Sequence, residues 1–389
     1  MSTRTLVQLC CAFLLVGSHS NTAFAWGQAG HQIIARTAVK VAQDRFNNPE
    51  LTAAFLSNSD SLAALALVPD NQWKGGQPKE IVASLSPAHF LDIEFMTPGH
   101  IDLNTLPFRI GDASKLIMKL CPTSGMSDKL ECKTNAPTDK ILSATGSLPW
   151  RIGQMTDLLV ESFKKVKQLQ DSNASKDQIV QQVRVSLLYS GILAHFIGDM
   201  TQPLHITKNY DGGETSQKGV HSFFETKLID AQPHGFDRQA YDYAMNAKPA
   251  TTILNQAAAT TDRVKVETWM PVEWSFMLSV ESNKRMPTVL DMDRKFALID
   301  QGNNGKPTAN QGGKKSGLNM EVARRSPDEI AEKFNEILVQ RIGIASDFLA
   351  LVWHRAWVQG GSPNLSMYAP NDAKIGKIEP ILLDYSNFL

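Results

Sequence analysis

The chain has 389 residues with 39 basic and 39 acidic side chains, so its formal net charge is zero. That balance excludes a general basic surface for nucleic acid or anionic lipid; phosphate must be held at a local site, where bound divalent ions add charge that the count omits. A hydrophobic share of 42% and a charged share of 20% describe an ordinary globular chain long enough to bury a sizeable core.

Residues 1–25 read as a signal peptide. Arg4 supplies a short basic start, LVQLCCAFLLVG is apolar but too short to span a bilayer, and Ala23 and Ala25 give a small-x-small cleavage pattern. Cleavage after Ala25 makes Trp26 the mature N-terminus and the protein secreted or periplasmic. No later stretch reads as a transmembrane segment. Cys10 and Cys11 leave with the signal; Cys121 and Cys132 remain, and in an oxidising compartment they predict a local disulfide.

The mature chain opens with WGQAGHQIIARTAVKVAQDRF, where Ile33, Ile34, Ala38 and Val41 follow a helical period. A freed amine on Trp26, with a pKa of about 8, and the carbonyl of the same residue form a chelating pair, and His31 is close enough to join them. The plainer alternative is that Trp26 is a buried anchor and His31 a helix-start residue. LTAAFLSNSDSLAALALVPDNQWKGG reads as one apolar helix ending at Pro69 and Asp70, and PAHFLDIEF follows with His89. Residues of about 97–148 are rich in Pro, Gly, Thr, Ser and Lys and read as a stapled surface insertion. His100 and His234 lack a partner at ligand spacing and are expected on the surface; His354, in FLALVWHRAW, is expected to pack. Asn173 and Asn364 fit glycosylation sequons.

From Pro149 a helix runs through RIGQMTDLLVESFKKVKQLQ, then a polar turn, then a long helix into LLYSGILAHFIGDMTQPLHI (187–206), the stretch around which the chain is organised. His195 and Asp199 are four apart and leave the same helix face one turn apart. Pro203 cannot continue that helix, so it ends near Thr201 or Gln202 and His205 lies on the turn beyond. His221 and Glu225, in GVHSFFETK, repeat the spacing of four across a Gly-rich loop. Two such pairs suit more than one metal ion. AYDYAMNAKPATTILNQAAAT and VEWSFMLSVESNK read as helices, residues 302–317 as a flexible loop, and the final helix starts with Ser326 and Glu329 spaced for a capping box. Strand signals are few and no repeat is visible, so the fold class is mainly α: a single large helical domain with two insertions.

An N-terminal Trp26, GQAGH, PAHFLD, AHFIGDMTQPLH, a GG loop and HSFFE occur here in the order that resembles the trinuclear-zinc nucleases (nuclease S-one and nuclease P-one), which share their ligand layout with zinc-dependent phospholipase C. The resemblance covers most of residues 26–228 and more weakly the helices to about residue 357. It implies a helical domain of the phospholipase C and nuclease P-one type holding three Zn2+. One would be held by Asp70, His89, His195 and Asp199. A second would be held by the amine and carbonyl of Trp26, by His31 and by the bridging Asp199. The third would be held by His205, His221 and Glu225. Five imidazoles, three carboxylates and an amine suit N/O-ligated zinc with positions left open to water.

The resemblance further implies hydrolysis of a phosphate ester by a zinc-bridging hydroxide, with Asp70, Asp199 and Lys74 catalytic. Phe90 and Asp92 match a base pocket, one stacking and the other binding the base edge, which suits single-stranded nucleic acid or nucleotides as substrate. Glu214 also falls at a substrate-contacting position. Three departures stand out. Glu225 is the acid of the phospholipase branch, where the nucleases carry Asp. The loop reads DGGE (211–214), replacing a substrate-positioning amide with the Glu214 carboxylate. Trp73 stands where the nucleases place a basic residue, with Lys74 one further. The expected activity is an endonuclease on single-stranded RNA or DNA, with removal of 3′-phosphate from nucleotides as a companion. The alternatives are a phospholipase C acting on phosphatidylcholine-type phospholipid and a non-catalytic zinc-binding surface protein.

Overall fold

The computed structural model describes residues 26–97, 101–121, 137–299, 322–368, 376–384 and 386. Secondary structure in these residues is helical, and extended pairing is limited to two isolated bridges, Leu91 with Gly146 and Leu298 with Arg324. In chain order the helices of seven residues or more are α1 (Gln28–Phe46), α2 (Pro49–Ser57), α3 (Ser59–Leu65), α4 (Lys79–Leu85), α5 (Ile110–Leu120), α6 (Thr138–Thr145), α7 (Leu148–Asp171), α8 (Lys176–Thr201), α9 (Phe236–Ala247), α10 (Pro249–Ala258), α11 (Pro271–Asn283), α12 (Met286–Met292) and α13 (Pro327–Gln359). The expectation of a mainly α fold is met.

The axis of the fold is α8. It forms a hairpin with α7 and is packed by α1, α3, α11 and α13. Every residue from Ser190 to Thr201 is buried. A helical stretch enclosed on all faces should be apolar all round, and Ser190–Thr201 is, apart from two hydroxyls and its two strongly polar side chains, His195 and Asp199. Its start is fixed by a reciprocal cap: the Ser175 hydroxyl accepts from Gln178 N at 3.4 Å while Ser175 N donates to Gln178 Oε1 at 3.1 Å. It ends at Thr201, where Gln202 turns extended before Pro203, as the proline position requires.

Several local expectations need correction. The single apolar helix expected before Pro69 is broken at Asn58 into α2 and α3, then continues as a π-helical turn, Pro69–Lys74. The helix expected over AYDYAMNAKPATTILNQAAAT is split at Lys248, whose left-handed backbone (φ 45°) precedes Pro249. Ser326 stands at the N-cap of α13, but its side chain makes no capping hydrogen bond. The stretch 97–148 is not a separate excursion where it is described. Leu106, Ile110, Ala113, Ile117, Ile141 and Leu142 all enter the main apolar cluster. Cys121 is buried, while its expected partner Cys132 lies outside the described residues, as do 1–25, His100 and 302–317.

One apolar segment was also underrated. Helix α13 is long and apolar enough to cross a membrane by length and composition, with a mean hydropathy of 1.3 over its most apolar window, yet 83% of that window is buried. Its contacts with α1, α8, α9 and α10 identify it as a core helix. His354 stacks on Phe46 at 4.1 Å between ring centroids, and His234 is exposed, both as expected.

The two N-caps separate in a denaturation experiment. Ser175→Ala removes a formed cap and should lower stability by about 1 kcal/mol, whereas Ser326→Ala should stay within about 0.5 kcal/mol of wild type. Urea midpoints at unchanged slope read both values.

Candidate metal centre

Seven elements deliver the cluster. Helix α1 carries His31, the Pro69–Lys74 π turn carries Asp70, the 3-10 turn Ser86–His89 carries His89, and α8 carries His195 and Asp199. His205 sits on the 3-10 turn Pro203–Ile206, and His221 and Glu225 on the short α and π turns Val220–Ser222 and Phe223–Lys227. All eight side chains are buried, with relative exposures between 0% and 6%.

Around Asp199 the ring nitrogens converge. His89 Nδ1 lies 3.0 Å and His195 Nε2 3.4 Å from Asp199 Oδ2, and His31 Nε2 is 3.4 Å from Oδ1. Asp70 Oδ1 is 3.8 Å from both His89 Nδ1 and His195 Nε2. In the other half of the cluster, Glu225 Oε2 is 2.9 Å from His221 Nε2 and 3.4 Å from His205 Nε2. Three groups thus hold donor atoms within 4.8 Å of one another: His31, His195 and Asp199; Asp70, His89 and His195; and His205, His221 and Glu225. Each could hold a metal ion. The third is the set the resemblance implies; the first two cover the other expected side chains but share His195 where Asp199 was expected to bridge, and Trp26 is in neither.

The outward nitrogens fix the tautomers. His195 Nδ1 is 2.9 Å from Ala66 O, His205 Nδ1 2.5 Å from His89 O and His221 Nδ1 3.3 Å from Tyr210 O. A carbonyl only accepts, so each Nδ1 carries a proton and each Nε2 is the nitrogen left to face inward; the Nδ1 bond is the second contact that metal-binding histidines characteristically make. Gly198 permits the approach of α1. A Cβ there would lie 2.8 Å from His31 Nδ1, so no larger residue leaves His31 facing Asp199.

The electrostatics show what the cluster lacks. Burial, reinforced by the neighbouring His195, holds His31 well below the ordinary imidazole value. Burial also lowers His89 and His195 strongly, with Lys74 adding to the effect on both. Burial and the nearby Asp70 push the Asp199 carboxyl well above its usual range. Around Glu225 the balance reverses: burial opposes ionisation, but the nearby His221 and His205 outweigh it and bring Glu225 to about 2. His205 is lowered by burial; His221 is raised because Glu225 outweighs its burial. Around Asp199, neutral imidazoles beside a carboxylate that resists ionising describe a site short of cationic charge. The orphaned atoms agree: both His31 nitrogens, Asp199 Oδ1, His205 Nε2 and Glu225 Oε1 are buried without a hydrogen-bond partner. Divalent ions would satisfy those atoms and reverse the charge balance, so the residues present fit the metal.

The flanking positions vary in how closely they meet expectation. The Trp26 indole donates to Gly198 O at 2.7 Å and reaches Thr201 Oγ1 at 3.3 Å, anchoring residue 26 on α8, while its own carbonyl accepts from His31 N at 3.3 Å. Lys74 Nζ sits 2.5 Å from Asp70 Oδ1. A π turn holds more residues per revolution than an α turn, so the residue four past Asp70 comes back over it, while Trp73 is buried and donates to Ile378 O at 3.2 Å. Lys74, half-buried Phe90 and buried Asp92 line a cleft of about 380 Å³ with His89, His205, His221 and Tyr210. Glu214 is exposed and pairs with Lys208 at 3.1 Å; it does not line that cleft.

Two residues escaped the sequence reading. Gln202, fully buried, donates from Nε2 to Glu225 Oε2 at 3.1 Å and accepts from Leu204 N through Oε1 at 2.5 Å. Asp211 Oδ1 accepts from Gly219 N at 3.0 Å and His221 N at 3.4 Å. The Gln-Pro dipeptide after the helix was the available signal for Gln202; nothing in the local pattern marks Asp211. A scan of family models and a search of curated proteins each return no match to this chain.

Asp199 gives the sharpest test of the charge argument. Its folded pKa lies above the unfolded value, so at neutral pH its ionisation opposes folding of the metal-free chain. Asp199→Asn should therefore stabilise the chelator-treated protein, on the order of 1 kcal/mol, while sharply lowering the zinc retained by the untreated protein. Thermal melts with and without chelator, paired with elemental analysis, check both signs.

Proposed function

We propose that the chain is an exported zinc-dependent phosphodiesterase of the single-strand nuclease type, with Trp26 as its mature N-terminus. The observation that carries the reading is the buried cluster of five imidazoles and three carboxylates opening into a cleft walled by Phe90, Asp92, Lys74 and Tyr210. The donor set is nitrogen and oxygen without thiolate, which suits zinc in a catalytic site better than in a closed structural one. His31, Asp70, His89, His195, Asp199, His205, His221 and Glu225 would hold the ions, with the Trp26 amine and carbonyl. Bound zinc supplies Lewis-acid charge and makes water a nucleophile at neutral pH.

The chain's own groups do the rest. Lys74, held on Asp70, keeps that carboxylate oriented and adds a cation beside the position where phosphate charge grows. Asp199, between the two histidine-rich groups, balances charge between them. In this reading Phe90 would stack on a nucleobase, and the carboxylate of Asp92 would accept from the amino edge of a base. Asp211 and Gln202 keep His221 and Glu225 in place. No Gly-x-Ser-x-Gly elbow or phosphate-binding P-loop offers a protein nucleophile in this sequence.

Glu225 and the apolar residues Val82 and Leu204 in the cleft favour a second reading, a phospholipase C acting on phosphatidylcholine-type lipid. The two separate in one experiment. The mature protein is given single-stranded RNA, single-stranded DNA and phosphatidylcholine vesicles, with chelator and with zinc restored. The nuclease reading expects chelator-sensitive nucleotide release with vesicles untouched, and Phe90→Ala should raise KM for single strands about 10-fold through loss of stacking. Phosphocholine release with intact nucleic acid would establish the second reading, and zinc uptake without turnover of any of the three would leave a non-catalytic zinc-binding protein.

A further inference from the structure

Outside the cluster, a second buried set of charges grips the segment that carries His221 and Glu225. Arg324 donates from Nε to Asp293 Oδ1 at 2.7 Å and from Nη2 to Asp293 Oδ2 at 3.0 Å and Gln217 O at 2.6 Å. Its Nη1 donates to Lys218 O at 3.0 Å and Val322 O at 3.3 Å, and the guanidinium lies 5.3 Å from the centre of the Phe223 ring. Gln217, itself fully buried, donates to Leu290 O at 2.7 Å and Asp293 Oδ2 at 2.9 Å and accepts from Arg294 at 3.1 Å. Val322 N donates to Lys218 O at 3.0 Å, and Leu298 bridges to Arg324. Three pieces of chain, 217–223, 290–298 and 322–325, meet at one guanidinium.

We propose that Arg324 is a positioning residue for the metal position formed by His205, His221 and Glu225, acting by locking the backbone of 217–223. The proposal rests on the metal reading above and adds a selectivity to it. His31, His195 and Asp199 ride on α1 and α8, whose own backbone bonds hold them. His221 and Glu225 instead sit on two short turns entered through Gly219, whose φ of +92° makes a sharp left-handed corner. Such a corner has little regular structure to hold it. Asp211 fixes one flank through Gly219 N and His221 N. Arg324 fixes the other through the carbonyls three and four residues before His221 and through the ring between His221 and Glu225. Only an arginine fork reaches two carbonyls and a carboxylate at once.

Zinc binding tests this directly, with the metal alone as probe. Metal-free mature wild type, Arg324→Met and Arg324→Lys are titrated with Zn2+ against a competing chelator, and zinc content is counted after desalting. The expected result is three equivalents in wild type. In Arg324→Met two should bind with unchanged affinity and the third should weaken about 10–100-fold, the usual range for a lost outer contact. Arg324→Lys keeps the charge but loses the fork, so it should fold and show the same selective loss in smaller measure, which carries the test should Arg324→Met not fold. Arg45→Met is the control: it removes a partly buried arginine paired with the buried Asp347 and should lower the melting temperature with all three affinities unchanged. Wild-type affinities in both Arg324 variants, or equal weakening of all three equivalents, would overturn the proposal. A wild-type chain that takes up no zinc would instead overturn the metal reading beneath it.

Discussion

Buried polar atoms without protein partners are the constraint on which this structure turns. Asp199 lies in the last turn of α8, within its fully enclosed stretch Ser190–Thr201, with Oδ1 unpaired and three imidazoles within 3.4 Å. An orphaned buried donor or acceptor costs about 1–3 kcal/mol and a charged one more. A chain that keeps several in one place needs a compensating partner, and divalent cations satisfy all of them together. Burial that depresses the histidines and elevates Asp199 in the bare protein would favour ligation once a cation enters, because the imidazoles already carry free lone pairs.

Much of the surrounding fold serves to hold that cluster. The α7–α8 hairpin and the α13 core helix supply a rigid apolar frame, and Trp26 is tied to it by its indole. Where the frame alone would put a ligand out of reach, the chain departs from regular helix. The Pro69–Lys74 π turn stacks Lys74 on Asp70, and the Phe223–Lys227 π turn carries Glu225 toward His205 and His221. Such turns interrupt good hydrogen bonding and recur at functional sites. His31, His195 and Asp199 rest on long helices, Asp70 and His89 on turns beside them, and His221 and Glu225 on turns braced by side chains from elsewhere.

What could be read from the sequence follows that division. His195 with Asp199 and His221 with Glu225 announce themselves because a spacing of four is a local geometric fact, and Pro203 marks the end of α8 for the same reason. His31, Asp70 and His89 have no such mark. More than a hundred residues separate them from His195, and only their order in a family-like pattern picked them out. The break at Asn58, the corner at Lys248 and the π turns depend on tertiary packing, as does the fate of α13, whose composition alone matches a membrane span. Ser326 had the spacing of a cap without forming one, while Ser175 and Gln178 formed one. Arg324 was invisible because its partners come from three distant segments.

The most direct test of the central claim is to locate the ions. Crystals of the mature chain grown with zinc would be measured on both sides of the zinc absorption edge. The account predicts three anomalous peaks inside the cluster, one of them against His205, His221 and Glu225 and two flanking Asp199. No anomalous density among these side chains, with their positions otherwise as described, would contradict it and leave the buried carboxylates without the partner the argument requires.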